Sequence, residues 1–278
     1  MAYVAAHNIF SPLGATSAAT FAAVAAGRSA VAEHPGIFPG DEPVWIARLP
    51  AGWEKTLPEL AEDFSPFEKM LIASIRDAAA QVNLPLASER TVFVFATTKG
   101  NIGLLDGEAA ATIILTAQPP AGVPQPVRLA GGAVSNDANH ISGPSRTGAE
   151  LAQAIAQALE EAGVAASEVD FISAHGTATP YNDAMEAKAF ALGGVQDKPV
   201  HSVKGALGHT LGAAGVVEAV LSVLALAEDC LLPTAGYSQP MPEALDIATT
   251  ARPASLRVGL KTASGFGGCN GALVFVRE

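Results

Sequence analysis

The residues with the clearest chemical potential lie at His201-Ser202-Val203-Lys204-Gly205-Ala206-Leu207-Gly208-His209-Thr210-Leu211-Gly212-Ala213-Ala214-Gly215. A short apolar strand, Pro199 to Val203, is expected to run into Lys204. A glycine-spaced turn follows, then His209 at the mouth of a long apolar helix. A cation and an imidazole are thus delivered to the C-terminal end of a strand, where open α/β sheets place their chemistry. A second polar cluster, His175-Gly-Thr-Ala-Thr-Pro-Tyr-Asn-Asp183, follows another predicted strand, and a third element, Gly265-Phe-Gly-Gly268, is a flexible turn. Two neutral imidazoles, His175 and His209, converging on one pocket would donate N–H bonds to a thioester carbonyl and stabilise the charge that develops there. A buried Lys204 needs a carboxylate, and Glu218 on the following helix is the candidate. Its ammonium would also hold the imidazoles neutral. Taken singly, each residue has an ordinary structural reading; the argument rests on their joint occurrence.

Bulk properties narrow the classes. Apolar residues make up 49% of the 278 and charged ones 15%, which implies buried helices or a large hidden interface. The longest apolar run, Val216 to Ala227, is interrupted by Glu218 and is too short to span a bilayer. No basic segment precedes an apolar one at the N-terminus, so no signal peptide is expected. Two cysteines without metal-like spacing indicate a reducing, cytoplasmic setting, with neither metal nor cofactor implied. A net charge of −11 argues against nucleic acid and anionic membrane as partners.

The elements that must position these groups follow in order. Tyr3–Ala6 reads as a strand. Thr16 or Ser17 caps a helix that runs to Ala26. Residues 31–66 are proline- and glycine-rich and irregular, with one strand at Val44–Arg48. Ser65-Pro66 opens a helix with Leu71, Ile75, Ala79 and Val82 on one face. Strands are expected at Arg90–Ala96, Ala110–Thr116 and Val127–Ala133, the last two as a hairpin. Then the pattern recurs: a helix at Thr147–Glu161, a strand at Val169–Ser173, a helix at Asp183–Leu192, the Lys204 strand, and an all-apolar helix at Leu211–Ala227 that must be buried. Leu256–Ser264 and Ala272–Arg277 close the chain as strands. Two copies of helix, strand and Thr-rich turn suggest a duplicated architecture. The first copy does not continue: after Asn101 the strand and buried helix corresponding to 199–227 are absent.

With these motifs in hand the chain resembles the β-ketoacyl-ACP synthases, the thiolase-fold condensing enzymes of type II fatty acid and polyketide systems. The resemblance covers nearly all of residues 1–30 and 65–278, most specifically HGTATPYND at 175–183, KGALGHTLGAAG at 204–215 and GFGGCNG at 265–271. It implies a thiolase-like αβαβα layered α/β fold of two related halves, 1–135 (truncated) and 136–278, forming one unit. It assigns the thioester-polarising histidines to His175 and His209, the active-site lysine to Lys204, its partner acid to Glu218 and the gating phenylalanine to Phe266. Asp183 and Glu186 match acids that are mainly structural. The family's nucleophilic cysteine has no counterpart: Thr97-Thr98-Lys99-Gly100 resembles the segment well before it, Asp106-Gly107-Glu108 the segment well past it, and the block between is missing. Cys230, at the end of the last long helix, reads as a packed small hydrophobe, and Cys269, within the glycine turn, stands where the family usually has another small residue.

The resemblance therefore implies a non-acylating subunit of chain-length-factor type. It would form a heterodimer with a full-length ketosynthase and meet acyl carrier protein only indirectly, as in aryl-polyene clusters. The rival expectation is an enzyme of the same family, a malonyl-ACP decarboxylase, that uses the two histidines without a thiol.

Overall fold

The computed structural model describes residues 2–36, 42–57, 64–83, 88–89, 91–97, 109–138 and 143–278. In chain order the strands and helices are β1 (Ala2–Phe10), α1 (Ser17–Ala25), β2 (Val31–His34), β3 (Val44–Ala47), α2 (Pro66–Ala80), β4 (Thr91–Thr97), β5 (Ala110–Thr116), β6 (Val127–Asn136), α3 (Ala149–Ala162), β7 (Phe171–Ser173), α4 (Pro180–Leu192) and β8 (Pro199–His201). The one-turn helix α5 (Lys204–Leu207) follows, then α6 (Ala214–Ala227), β9 (Cys230–Leu231), β10 (Asp246–Ile247), β11 (Arg252–Pro253), β12 (Val258–Gly265) and β13 (Cys269–Arg277). Two compact units emerge. Unit 1 contains Met1–Val4, Ala117–Ser202 and Ser222–Glu278; unit 2 contains Ala5–Thr116 and Val203–Leu221.

Unit 1 is built on strands in the order β10-β8-β7-β12-β13-β6. The first four are parallel, and β12, β13 and β6 are antiparallel. Leu151, Ile155 and Leu159 recur every four residues along α3, forming a stripe that packs with Ile172, Val200, Val258 and Val274 of the strands. Gly163, in the left-handed region at φ 66°, ends α3. The strands of the helix–strand–turn repeat thus receive their apolar cover from helices, the arrangement parallel strands require.

The expected hairpin between β5 and β6 does not form. β6 pairs along its length with β13, and Ala2 and Tyr3 of β1 pair with its first residues; β5 pairs with β4. The connection between β5 and β6 is far longer than the two to five residues that favour a hairpin, so local closure loses to the long β13 ladder.

Unit 2 carries the strands β1, β5 and β4 in that order. Ser65 and Glu68 form a reciprocal capping box at the start of α2, with Pro66 in its first turn. α2 lays Met70, Ser74 and Ala78 towards the strands, where Ser74 and Thr112 exchange a buried hydroxyl bond of 2.9 Å. The segment expected to be irregular contains a two-stranded ribbon, β2 with β3, in which Val31 faces Ala47 and His34 faces Val44. The first strand extends further than its apolar core suggests, through Phe10, because the Asn8 side-chain N–H groups find partners in place, donating to Asp77 Oδ2 at 2.7 Å and to the Ala15 carbonyl. Residues Val217 to Val223 of α6 are all buried, as an all-apolar helix requires. The segments Thr98–Asn101 and Asp106–Glu108, between which the sequence reading places a missing block, and Arg90, lie outside the described residues.

Candidate functional site

The first cluster belongs to unit 2. The strand before Lys204 is shorter than expected: β8 ends at His201, and Lys204 opens α5. One turn of helix swings its side chain inwards, and the ammonium meets Glu218 Oε1 in an ion pair whose side chains are only 7% and 3% exposed. The sequence expectation of a Lys204–Glu218 pair is met. A buried ammonium without such a partner would be untenable, so Glu218 explains why an otherwise apolar helix carries one acid.

His209 lies two residues past α5. Its Nδ1 accepts a 3.1 Å hydrogen bond from the Leu211 backbone N–H. That bond can form only if Nδ1 is unprotonated, so the neutral ring carries its proton on Nε2 and is a donor there. Partial desolvation, then the Lys204 ammonium, hold its pKa below the ordinary imidazole value, against the opposing pull of Glu218. The bond depends on a local conformation: Leu211 sits at φ 46°, in the left-handed region that a branched side chain rarely adopts. Ser29 and Ala30 brace α5. Ser29 Oγ donates to the Gly205 carbonyl at 2.7 Å, and Ala30 N–H donates to the Ala206 carbonyl at 2.8 Å.

The second cluster belongs to unit 1 and is organised by one carboxylate. Glu186, 2% exposed on α4, accepts from the backbone N–H groups of His175 (2.8 Å) and Gly176 (2.7 Å), from Asn182 Nδ2 (3.0 Å) and from Thr262 Oγ1 (3.0 Å). Four donors saturate both oxygens, fix the turn after β7 and set the backbone direction of buried His175. Gly176, at φ 48°, allows the close approach of Ser202, whose Oγ donates to the Gly176 carbonyl at 2.9 Å; a Cβ there would meet Ser202 at 2.6 Å. Asp183, half-buried in the first turn of α4, accepts from Asn182 at 3.3 Å.

The glycine turn joins β12 to β13 and also lies in unit 1. Phe266 stands 76% exposed at its tip. Asn136 Nδ2 donates to the Gly267 carbonyl at 2.8 Å, Asn270 Nδ2 to the Gly268 carbonyl at 3.1 Å, and the Gly268 carbonyl also receives the Asp137 N–H at 2.9 Å. Gly268 has no room for a side chain, since a Cβ would lie 2.1 Å from Asp137 Oδ1. The two sulfurs are engaged elsewhere. Cys230 Sγ donates to the Leu231 carbonyl, and burial, with the Glu228 charge, pushes its thiol pKa up. Cys269 Sγ accepts from Asn136 at 3.5 Å.

The structure therefore brings Lys204, Glu218 and His209 together in unit 2, and His175 with Glu186 and Asp183 in unit 1. Ser202, Asn182, Thr262 and Asn136 were not singled out from sequence as polar anchors. Asn182 meets Glu186 one helical turn on, whereas the partners of Ser202, Thr262 and Asn136 lie far along the chain, where no local pattern announces them. Among the described residues no group of three or more His, Cys, Asp and Glu side chains is arranged to hold a metal ion, and no helix is long and apolar enough to cross a membrane.

Comparison with known proteins accounts for these motifs. Residues 127–238 match the β-ketoacyl synthase C-terminal domain. A putative polyketide β-ketoacyl synthase 1 of Streptomyces cyaneus is 39% identical over 180 residues, 62% of this chain and 43% of that protein. The chain thus spans less than half the length of this curated relative. Among solved structures, the ishigamide ketosynthase/chain length factor aligns over 100% of this chain and 99% of its own, with a TM-score of 0.81 at 19% identity. The ketosynthase ApeO in complex with its chain length factor ApeC, from Xenorhabdus doucetiae, aligns over 100% and 98%, with a TM-score of 0.83 at 20% identity. These two likenesses establish the thiolase-like α/β fold. Residues 127–238 are thus similar to the β-ketoacyl synthase C-terminal domain, within a fold like that of ketosynthase/chain length factor structures.

Proposed function

We propose that the chain is a non-acylating, chain-length-factor-type subunit that pairs with a full-length ketosynthase in type II fatty acid or polyketide biosynthesis, of the aryl-polyene kind. It would work in the cytoplasm, as two related halves divided near residue 135. The observation that carries this reading is the state of the two sulfurs. Cys230 is bonded to a carbonyl with a raised pKa, and Cys269 is bonded to Asn136, while the Lys204–Glu218 pair and the Nε2-protonated His209 are intact. A thiolate that accepts an acyl chain needs a depressed pKa, and Cys230 has the opposite. The names of the similar structures, a ketosynthase paired with a chain length factor, support the same reading. In this role Phe266 would border the acyl tunnel, and carrier protein would dock on the ketosynthase, since a subunit of charge −11 repels an acidic carrier. Co-expression with a ketosynthase encoded beside this chain tests the proposal. A stable heterodimer in which only the ketosynthase is labelled by an acyl thioester is expected; acylation of this chain on its own would overturn it.

His209 favours one alternative, the malonyl-ACP decarboxylase. A neutral ring donating from Nε2 suits a thioester oxygen that gains charge as the carbon–carboxylate bond breaks, CO₂ leaves and the enolate takes up a proton to give the acetyl thioester. In that reaction His175 and His209 would be the donors and Lys204 the cation that keeps His209 neutral. CO₂ release from malonyl-ACP by the purified chain, lost in His175→Ala, is the expected result for this reading; release no faster than the buffer background would eliminate it.

A further inference from the structure

In unit 2 the ribbon of β2 and β3 carries an exposed indole, Trp45, beside the His209 turn. The ribbon is pinned along α5 in steps. Ser29 Oγ donates to the Gly205 carbonyl, Ala30 N–H donates to the Ala206 carbonyl, and Gly208 lies so close that a Cβ on it would meet the Ala47 Cβ at 3.4 Å. Ala47 pairs with Val31, so the contacts advance from Gly205 to Gly208 as the ribbon advances from Ser29 to the Val31–Ala47 pair. Side chains alternate across a strand, so Trp45 shares the face of Ala47, and Glu33 stands opposite Trp45 in the register. Ala47 is 1% exposed against Gly208, whereas Trp45 is 68% exposed. Two residues of strand span about 7 Å. The position after Ala47 on this face therefore brings an indole to the surroundings of His209, which is itself exposed and carries its proton on Nε2.

We propose that Trp45 is a specificity-determining platform for the acyl group of a thioester whose carbonyl oxygen meets His209, and that it selects a flat, conjugated chain over a saturated one of equal length. This rests on the acyl-chain role proposed above and names the chemical class of chain that role takes. The imidazole supplies a donor for an acceptor oxygen, and the indole supplies an apolar plane a short distance beyond it. A conjugated chain is rigid and planar, so it lays its π face on the indole at little cost in lost rotamers, whereas a saturated chain must be ordered bond by bond and gains contact area alone. Glu33 across the ribbon gives the platform a negative flank. That charge disfavours an acyl group bearing a carboxylate, such as malonyl, and leaves a neutral chain unaffected.

The test is calorimetric binding of two N-acetylcysteamine thioesters of equal chain length, hexa-2,4-dienoyl and hexanoyl, to the purified full chain. Wild type is expected to bind the dienoyl thioester about fivefold more tightly, the worth of one aromatic contact. Trp45→Ala should bring the two affinities within about twofold of each other, and Trp45→Phe should keep most of the preference. His209→Ala should weaken both thioesters by a similar factor and leave their ratio unchanged. A loss of folded protein would lower both affinities together, so a change in the ratio reports the platform alone. Equal binding of the two thioesters by wild type, a preference that survives Trp45→Ala, or binding of neither thioester overturns the inference. None of these outcomes touches the pairing with a ketosynthase, which stands or falls by co-purification.

Discussion

β7 and β4 are the same idea carried out under different conditions. Each follows an amphipathic helix. β7 lies between two strands, and the carboxylate of Glu186 gathers the turn beyond it. Among the described residues β4 has one neighbour strand, and its Val92, Val94 and Phe95 side chains are exposed. The difference teaches that a strand's environment is set by what the chain supplies next. Among the described residues, α4, β8 and α6 come after β7, and β5 comes after β4. The same local pattern yields a core strand in one place and an edge in the other.

The sharpest way to break this comparison is to place the same charge on both strands. Ile172→Lys should cost more than about 4 kcal/mol in urea denaturation, because an ammonium would lie among buried apolar groups. Val94→Lys should change the stability of the isolated chain by no more than about 0.5 kcal/mol, as surface substitutions do. Equal losses at both positions would end the distinction between covered and bare. Next in size is Lys204→Met, which strands the Glu218 carboxylate in the interior and should cost about 3–5 kcal/mol. The double variant Lys204→Met/Glu218→Leu should recover most of that loss, showing that the pair is kept for reasons other than stability.

Much of this contrast was legible in the residues themselves. The i, i+4 stripe of α3, the Ser65–Glu68 box of α2 and the apolar circumference of α6 are local signals, and each element formed where the pattern put it. The Lys204–Glu218 pair was readable for a different reason: a cation and an acid in an apolar setting must find each other. The pairing of β6 with β13 was not readable, because strand partners distant in sequence are chosen by the whole sheet. Nor was the saturation of Glu186 by two backbone N–H groups, an asparagine and a threonine from three separate segments.

Three smaller effects sharpen the account of the histidines and the caps. In an NMR titration His209 should protonate below the ordinary imidazole range, for the reasons of desolvation and the neighbouring ammonium, and Lys204→Met should move its midpoint upward. His7, at which burial lowers the pKa, gives a stability signature of the same sign. Its folded-state pKa lies below the unfolded value, so the neutral ring's contribution is complete above about pH 6.5 and is lost as pH falls through the window beneath it. His7→Gln should flatten the slope of stability against pH in that window. The smallest expected change is at the N-cap of α1, where Thr16 accepts from the Ala19 N–H at 3.2 Å; Thr16→Ala should cost about 1 kcal/mol by thermal denaturation.

The left-handed residue beside His209 has a consequence that reaches beyond its own turn. Leu211 holds its amide against the imidazole only while its backbone stays in a conformation worth about 1–3 kcal/mol of strain. Were that peptide to rotate into an extended form, Nδ1 would lose its donor and the ring would be free to exchange one tautomer for the other. Where the proton of this histidine resides is therefore decided by a main-chain dihedral, and a glycine at that one position would ease the geometry without touching the imidazole.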